Sequence, residues 1–306
     1  MAGQRAAGRA RGYRRERNRL KVTPAALVTA LLAAPLLAIA GSPGDSNDSA
    51  VVSPAIAIDT PVIPNLETKT PQEDTEIATA AEPEIAAPAI PNFAIDYNVR
   101  YLAFGGKLIF SLQQIEGDKT YRVSAVTKAR GLTKLLMGDD LLEQADFTYA
   151  DDQITPLRYQ LDSGKKSGED TGEIIFDWES NTADSIHEGS PATLNLGPDI
   201  YDRLSADIIV IMDLRNGRAP RTLYIAEKND VREYTFTPRG EATIETPAGT
   251  FETDIYLRQR DGSSRSTLIW YARNAGFLPV RMEQLKDGKT SVTSVATSIA
   301  LTPPED

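Results

Sequence analysis

Tyr97-Asn98-Val99-Arg100-Tyr101-Leu102-Ala103-Phe104-Gly105-Gly106-Lys107-Leu108-Ile109-Phe110-Ser111-Leu112 decides the fold class. Tyr97, Val99, Tyr101 and Ala103 fall on one side of a two-residue period, with Asn98 and Arg100 on the other. After the paired glycines, Leu108, Phe110 and Leu112 resume the alternation. Side chains of a strand alternate between its two faces, so this pattern predicts strands with one face buried and one wet.

The same rhythm runs outward from there. Glu116-Gly117-Asp118-Lys119 reads as a turn, and Tyr121, Val123 and Ala125 begin another strand. Further strands are predicted at Glu143–Tyr149, Leu157–Leu161, Thr171–Trp178, Arg221–Ala226 and Glu233–Phe236. Others follow at Ala242–Glu245, Thr250–Gln259, Ser266–Tyr271, Phe277–Leu285 and Thr290–Leu301. Asp287-Gly288 is a tight-hairpin signal because both residues tolerate positive φ, and Pro247-Ala248-Gly249 makes another short connection.

Two segments break the rhythm. Asp199 to Leu214 sets Ile200, Tyr201, Leu204, Ile208, Ile211 and Met212 on one broad face, which predicts a helix with Asp199 as its N-cap. Gly131 to Met137 reads as a short helix or a crossing loop. The fold class expected is therefore mainly β: a strongly curved antiparallel sheet or open barrel with one amphipathic helix packed on its concave side. There is no repeat of solenoid period.

The folded part is expected to span residues 92–302, with residues 303–306 a short tail. The first ninety residues carry an address instead of a core. Eight basic side chains stand within residues 1–21 against the single acid Glu16, and an apolar run from Pro24 to Ala40 follows. Residues 1–40 have the order of an export signal, and Ala38-Ile39-Ala40 has the small-x-small form of a cleavage site. The apolar run is also at the low limit for crossing a bilayer, with Pro35 and many alanines weakening a permanent span. Cleaved leader and uncleaved anchor both stay open. Arg14-Arg15 followed by Glu16-Arg17-Asn18 fits a twin-arginine signal poorly.

Residues 41–91 form a Pro/Ala/acid-rich tract in which nine acids face one Lys69. Such a composition cannot bury enough apolar surface to fold, and a spacer of this length reaches roughly 40 Å. Its usefulness is greatest if one end is held in a membrane. The expected location is periplasmic, either soluble after cleavage near Ala40 or tethered to the inner membrane by residues 24–40. Membrane contact is expected only through the N-terminal segment.

Charge and composition exclude several functions. The whole chain carries a formal −10 although residues 1–21 carry +7, so the remainder stands at −17. That charge repels phosphate backbones, and no nucleic-acid partner is expected. Cysteine is absent, which removes disulfides, thiol nucleophiles, zinc–cysteine sites and the acylated cysteine of a bacterial lipoprotein.

Residue by residue, chemistry is scarce. His187 is the only histidine, which rules out a multi-histidine metal site; in Ser185-Ile186-His187-Glu188-Gly189 it reads as an exposed loop residue. Asp139-Asp140 and Asp151-Asp152 suggest carboxylate or calcium chemistry, yet adjacent acids on a strand point to opposite faces, and solvated turns explain them better. Ser163-Gly164-Lys165-Lys166-Ser167-Gly168 lacks phosphate-loop spacing and reads as a hairpin tip. Arg281 and Glu283 share the polar face of a strand opposite Leu278, Val280 and Met282, where a cross-strand ion pair is expected. Trp178 and Trp270 are the only tryptophans. Packing is the default reading of both, but with Tyr201 they are the candidates for ligand binding if a cavity exists. No catalytic residue, metal ligand or cofactor is expected.

The C-terminal third carries a family resemblance. Glu245-Thr246-Pro247-Ala248-Gly249-Thr250-Phe251-Glu252-Thr253, with Ile255 and Leu257 after it, resembles a hairpin of the DUF3108 family. Ile269-Trp270-Tyr271-Ala272 leading to Gly276-Phe277-Leu278-Pro279-Val280-Arg281-Met282-Glu283 resembles that family's closing hairpin, and Tyr97–Leu112 its opening one. The resemblance implies an exported bacterial envelope protein of uncharacterised function, with a sheet similar to the half-barrel of lipoprotein carriers, where a helical lid covers a greasy cavity. The long acidic spacer departs from a typical short-leader member.

Together these readings lead to a noncatalytic envelope protein that binds a lipid, an acyl chain or an envelope partner in a curved-sheet groove. An assembly scaffold acting through protein contacts comes second. A hydrolase built on carboxylates such as Asp139 or Asp177 comes third.

Overall fold

The computed structural model describes residues 90–101, 104–116, 119–129, 140–164 and 171–302. The predicted helix or loop at 131–137, Asp139 and the Lys165-Lys166 hairpin tip lie outside the described residues, as do residues 1–89 and the tail, whereas Ile90, expected in the spacer, is buried in the core.

Fifteen strands join one sheet among the described residues. The first arm is an antiparallel meander: β1 (Asn92–Tyr101), β2 (Phe104–Glu116), β3 (Thr120–Ala129), β4 (Leu141–Ala150), β5 (Gln153–Asp162), β6 (Gly172–Asp177), β7 (Thr182–His187) and β8 (Ser190–Asn195). A two-residue strand β9 (Ile200–Tyr201) and the α-helix α1 (Arg203–Arg215) then cross to the far side. The second arm returns through β10 (Leu223–Glu227), β11 (Asp230–Thr246), β12 (Gly249–Gln259), β13 (Arg265–Ala272), β14 (Leu278–Lys286) and β15 (Lys289–Thr302). β15 pairs with β1 from Asn92↔Thr302 to Tyr101↔Val292, so the first and last strands meet in the middle of the sheet. The sheet curves strongly and stays unclosed, with β8 and β9 as its edges. Among the described residues only β9 and β10 run parallel, because the crossing chain enters β9 in the direction of β10.

The alternation at Tyr97–Leu112 builds this sheet. Phe93, Ile95, Tyr97 and Val99 of β1 are buried with Leu108, Phe110 and Leu112 of β2, while Asn98 and Arg100 face water. Two-residue turns with positive φ at both positions close four hairpins: Asp151-Asp152, Glu188-Gly189, Lys228-Asn229 and Asp287-Gly288. Their backbone twist matches that of the strands.

α1 fills the concave side and packs on β3, β4, β5, β9 and β10. Its burial is wider than one face: from Arg203 to Leu214 only Asp207 is not buried. Leu204, Ile208, Ile209, Val210, Ile211, Met212 and Leu214 each contribute about 1.5–3 kcal/mol by leaving water.

The structure corrects the reading of the helix start. Asp202 is the N-cap, extended at φ −75° and ψ 175°, and its carboxylate accepts from the backbone N–H groups of Leu204 and Ser205 at 2.9 Å each. Asp199 has φ 55°, outside the extended region a cap requires. Ile200 and Tyr201 therefore belong to a strand, not to the helix. Two predicted strands in the second arm are one, β11, continuous through a bulge at Pro238 and Gly240 where Gly240 takes φ 103°. His187 is not in a loop: it ends β7 opposite Gly172 and is half-buried.

Candidate functional site

Among the described residues, one space lies against α1 and another beside the chain that leads into it. The first is a crevice between the helix and the sheet. Leu204 and Ile211 of α1 form one wall, and Leu108, Phe110, Ile269 and Met282 form much of the other. The crevice contains about 560 Å³ between atoms, open mouth included, and leaves solvent about 30 Å³. That is room for a water or two, not for a chain.

Its charges are paired across the helix–sheet contact. Asp207 accepts from Nη1 of Arg258 on β12 at 2.7 Å. Arg203 approaches Glu143 of β4 at 3.2 Å, and both side chains are almost wholly buried. The Tyr159 hydroxyl of β5 donates to the same Glu143 at 2.5 Å. Burial pushes the Asp207 carboxyl above its usual range, a shift that Arg258 and Arg203 oppose. Burial alone would lower Arg203, but Glu143 foremost among its neighbours more than offsets this, so its proton is held more tightly than usual. The Tyr97 and Tyr271 hydroxyls, both buried, are driven well up, first by desolvation and then by Asp207. The Tyr97 hydroxyl donates to the Pro279 carbonyl at 2.5 Å. These pairs tie α1 to both arms and leave the apolar walls without free charge to attract water.

The second space is a cleft at the open seam, between the β4–β5 turn end of the first arm and the crossing chain at β9. It leaves solvent about 350 Å³ and is lined by both apolar and polar side chains. Trp178 and Tyr201, two of the three ligand-binding candidates, come together here with Ile154, Asp199 and Arg221. Trp178 follows β6; its ring stacks on Phe176 at 5.9 Å and 9°, and its Nε1–H donates to the Pro156 carbonyl at 2.7 Å. The Tyr201 phenol is pushed up to about 12, chiefly by burial, with Arg221 opposing and Asp199 adding.

Beside the cleft an alternating charge ladder crosses the seam. Arg218 bonds Asp152 at 2.9 Å and Asp213 at 3.1 Å; Arg221 reaches Asp213 at 3.3 Å and Asp199 at 3.0 Å. Asp151-Asp152 is indeed a turn, and its second acid fastens the first arm to the end of α1 through Arg218 and Asn216. Asp152 is held below the ordinary carboxyl range: its slight burial works the other way, and the hydrogen bonds from Arg218 and Tyr149 outweigh it.

Trp270 lies apart from both spaces. On β13 it pairs across the strands with Arg281, whose guanidinium carbon stands 5.2 Å from the ring centroid. Arg281 bonds Glu283 two residues along the same strand, instead of making the expected cross-strand pair. Asp140 pairs with Lys128 at 3.8 Å. Asp177 accepts from the backbone of Glu179 and Ser180 in its own turn and is exposed. Among the described residues no group of three or more His, Asp or Glu is arranged to hold a metal ion, and no helix is long and apolar enough to cross a membrane.

An unclosed sheet curved around one buried helix defines the class of protein. The chain belongs to the DUF3108 family, described as a protein family of unknown function, whose model matches residues 92–294. No curated protein matches. Among solved structures, a protein of Bacteroides fragilis NCTC 9343 described as exported and YmcC-like in fold shares 15% identity over 70% of this chain and 98% of that one, with a TM-score of 0.31. A protein of Parabacteroides distasonis ATCC 8503 described as a lipoprotein shares 12% identity over 70% and 97%, with a TM-score of 0.32.

Proposed function

We propose that this chain is a noncatalytic bacterial cell-envelope protein, exported by its N-terminal signal, that binds a lipid or acyl chain between α1 and the curved sheet. One observation carries the reading: the apolar crevice between the helix and the strands it covers, whose few charges are internally paired. The crevice is too tight to take a chain as it stands, so binding requires α1 to lift. The Asp207–Arg258 and Glu143–Arg203 pairs set the resistance to that motion. The basic N-terminus followed by an apolar run supports a location for the domain across the membrane from that terminus.

Native mass spectrometry of the full chain, purified gently from a bacterial envelope and followed by lipid extraction of the same sample, tests the proposal. A stoichiometric co-purifying lipid is expected, with higher occupancy in the Asp207→Asn variant. A ligand-free mass for both proteins would overturn it.

An assembly role through protein contacts is favoured by a different observation. Ile175 and Ile186 stand 50% and 47% exposed on the outer face of β6 and β7, next to the edge strand β8. Deletion of Ser42–Pro91 discriminates the two, since an assembly factor needs the reach of the spacer and lipid capture does not.

A further inference from the structure

We propose that the seam cleft is a saccharide site that seats a neutral pyranose ring against Trp178, independently of the crevice beside α1. Sugar rings present two unlike surfaces: apolar C–H faces and a rim of hydroxyls that both donate and accept. A matching site needs a rigid aromatic plane and, around it, planar polar side chains of both hydrogen-bonding characters.

The cleft has each part. The Trp178 indole is fixed in two ways, by the Phe176 ring stacked on one face and by its Nε1–H on the Pro156 carbonyl. The indole so held lines the cleft, with its donor already satisfied. Tyr201 and Ile154 extend the apolar floor. On the rim, Asp199 offers a carboxylate acceptor and Arg221 guanidinium donors, 3.0 Å apart and 40% and 43% exposed. Gln153 and Thr155 add neutral donor–acceptor groups.

Charge selects the ligand class. Arg221 already serves Asp199 and the buried Asp213, so no net positive charge remains to call an anion such as a phosphate or an acidic sugar. The ion-paired rim of Asp199 and Arg221 suits hydroxyls better than an acyl chain. The space of about 350 Å³ falls in the size range of small-molecule sites.

The test uses the full chain carrying Trp270→Phe, which leaves Trp178 as its one tryptophan and alters a residue remote from the cleft. Its fluorescence is titrated with maltohexaose, cellohexaose and the hexamer of N-acetylglucosamine. At least one is expected to give a saturable change, with binding by calorimetry about tenfold weaker in Trp178→Ala. Should Trp178→Ala lose its fold by circular dichroism, Asp199→Asn serves instead, because it keeps the side-chain shape and removes the charge of the rim acceptor. Absence of saturable binding by all three sugars, or equal affinity in the folded variants, overturns the proposal.

Discussion

Asp202 shows how one side chain both starts the helix and burdens it. The residue is fully buried, and burial raises its carboxyl to about 6 against the bonds it accepts from Ser205 and Leu204. A folded-state value above the unfolded 3.8 means that the protonated form is favoured by folding. The stability this gives is fully present below the unfolded value and is lost as pH rises through about 6, on the order of 3 kcal/mol in all. Asp202→Asn keeps an oxygen for the two backbone donors and carries no charge. Its stability in urea should therefore vary less between about pH 4 and 6 than the parent's does. Asp202→Ala strips both donors of their acceptor and should cost about 1–2 kcal/mol at neutral pH. A parallel slope in Asp202→Asn would show that the raised value is not set by this carboxyl's burial. Arg203, the next residue, makes the complementary case. Truncation to Ala leaves Glu143 buried without its cation and should cost about 3–5 kcal/mol by chemical denaturation.

At the scale of elements, the helix and the turns can be tested separately. Ile208 is 1% exposed inside α1, so Ile208→Ala should destabilise by about 2–5 kcal/mol, with the loss set by how far the sheet closes on the gap. Gly288 takes φ 72° in the β14–β15 turn, and beyond its own chain neighbours no atom lies within 4 Å of the point a Cβ would occupy, which isolates backbone strain from crowding. Gly288→Ala should cost about 1–2 kcal/mol in thermal unfolding, and a neutral result would mean that the turn relaxes. Strands with large alternating side chains were legible in the sequence, as β1, β2 and β15 show. β7 and β8 were not: β7 turns Ala183 and Ser185 inward, and β8 holds Pro191 with Leu194 as its one large apolar residue, so neither displays a hydrophobic period. The helix was legible but not its first residue. Asp199 and Asp202 are chemically equal caps, and what separates them is the φ imposed where β9 pairs with β10, a contact between distant residues. The meeting of Trp178 with Tyr201 was hidden for the same reason, since only the closing of the two arms brings them into one cleft.

On the scale of the molecule, the seam is where the arms touch without a strand ladder. Asn229, in the β10–β11 turn, accepts from the Ser185 hydroxyl at 2.7 Å and donates to the Ser190 carbonyl at 2.7 Å, which latches the second arm to the first. Asn229→Gly removes the latch while suiting the φ of 62° at that position. Amide exchange should then quicken in β7 and β8 and stay unchanged in β1 and β15. Uniform quickening would mean that the latch supports the whole sheet instead of its edge. The central ladder has a different consequence, one of timing. Because β1 pairs with β2 on one edge and with β15 on the other, that second edge stays bare until β15 has followed, and in the proposed export from the N-terminus the first strand would have to wait for it. A chain passed through a membrane from its N-terminus can thus join its two arms only on the far side, once β15 has crossed.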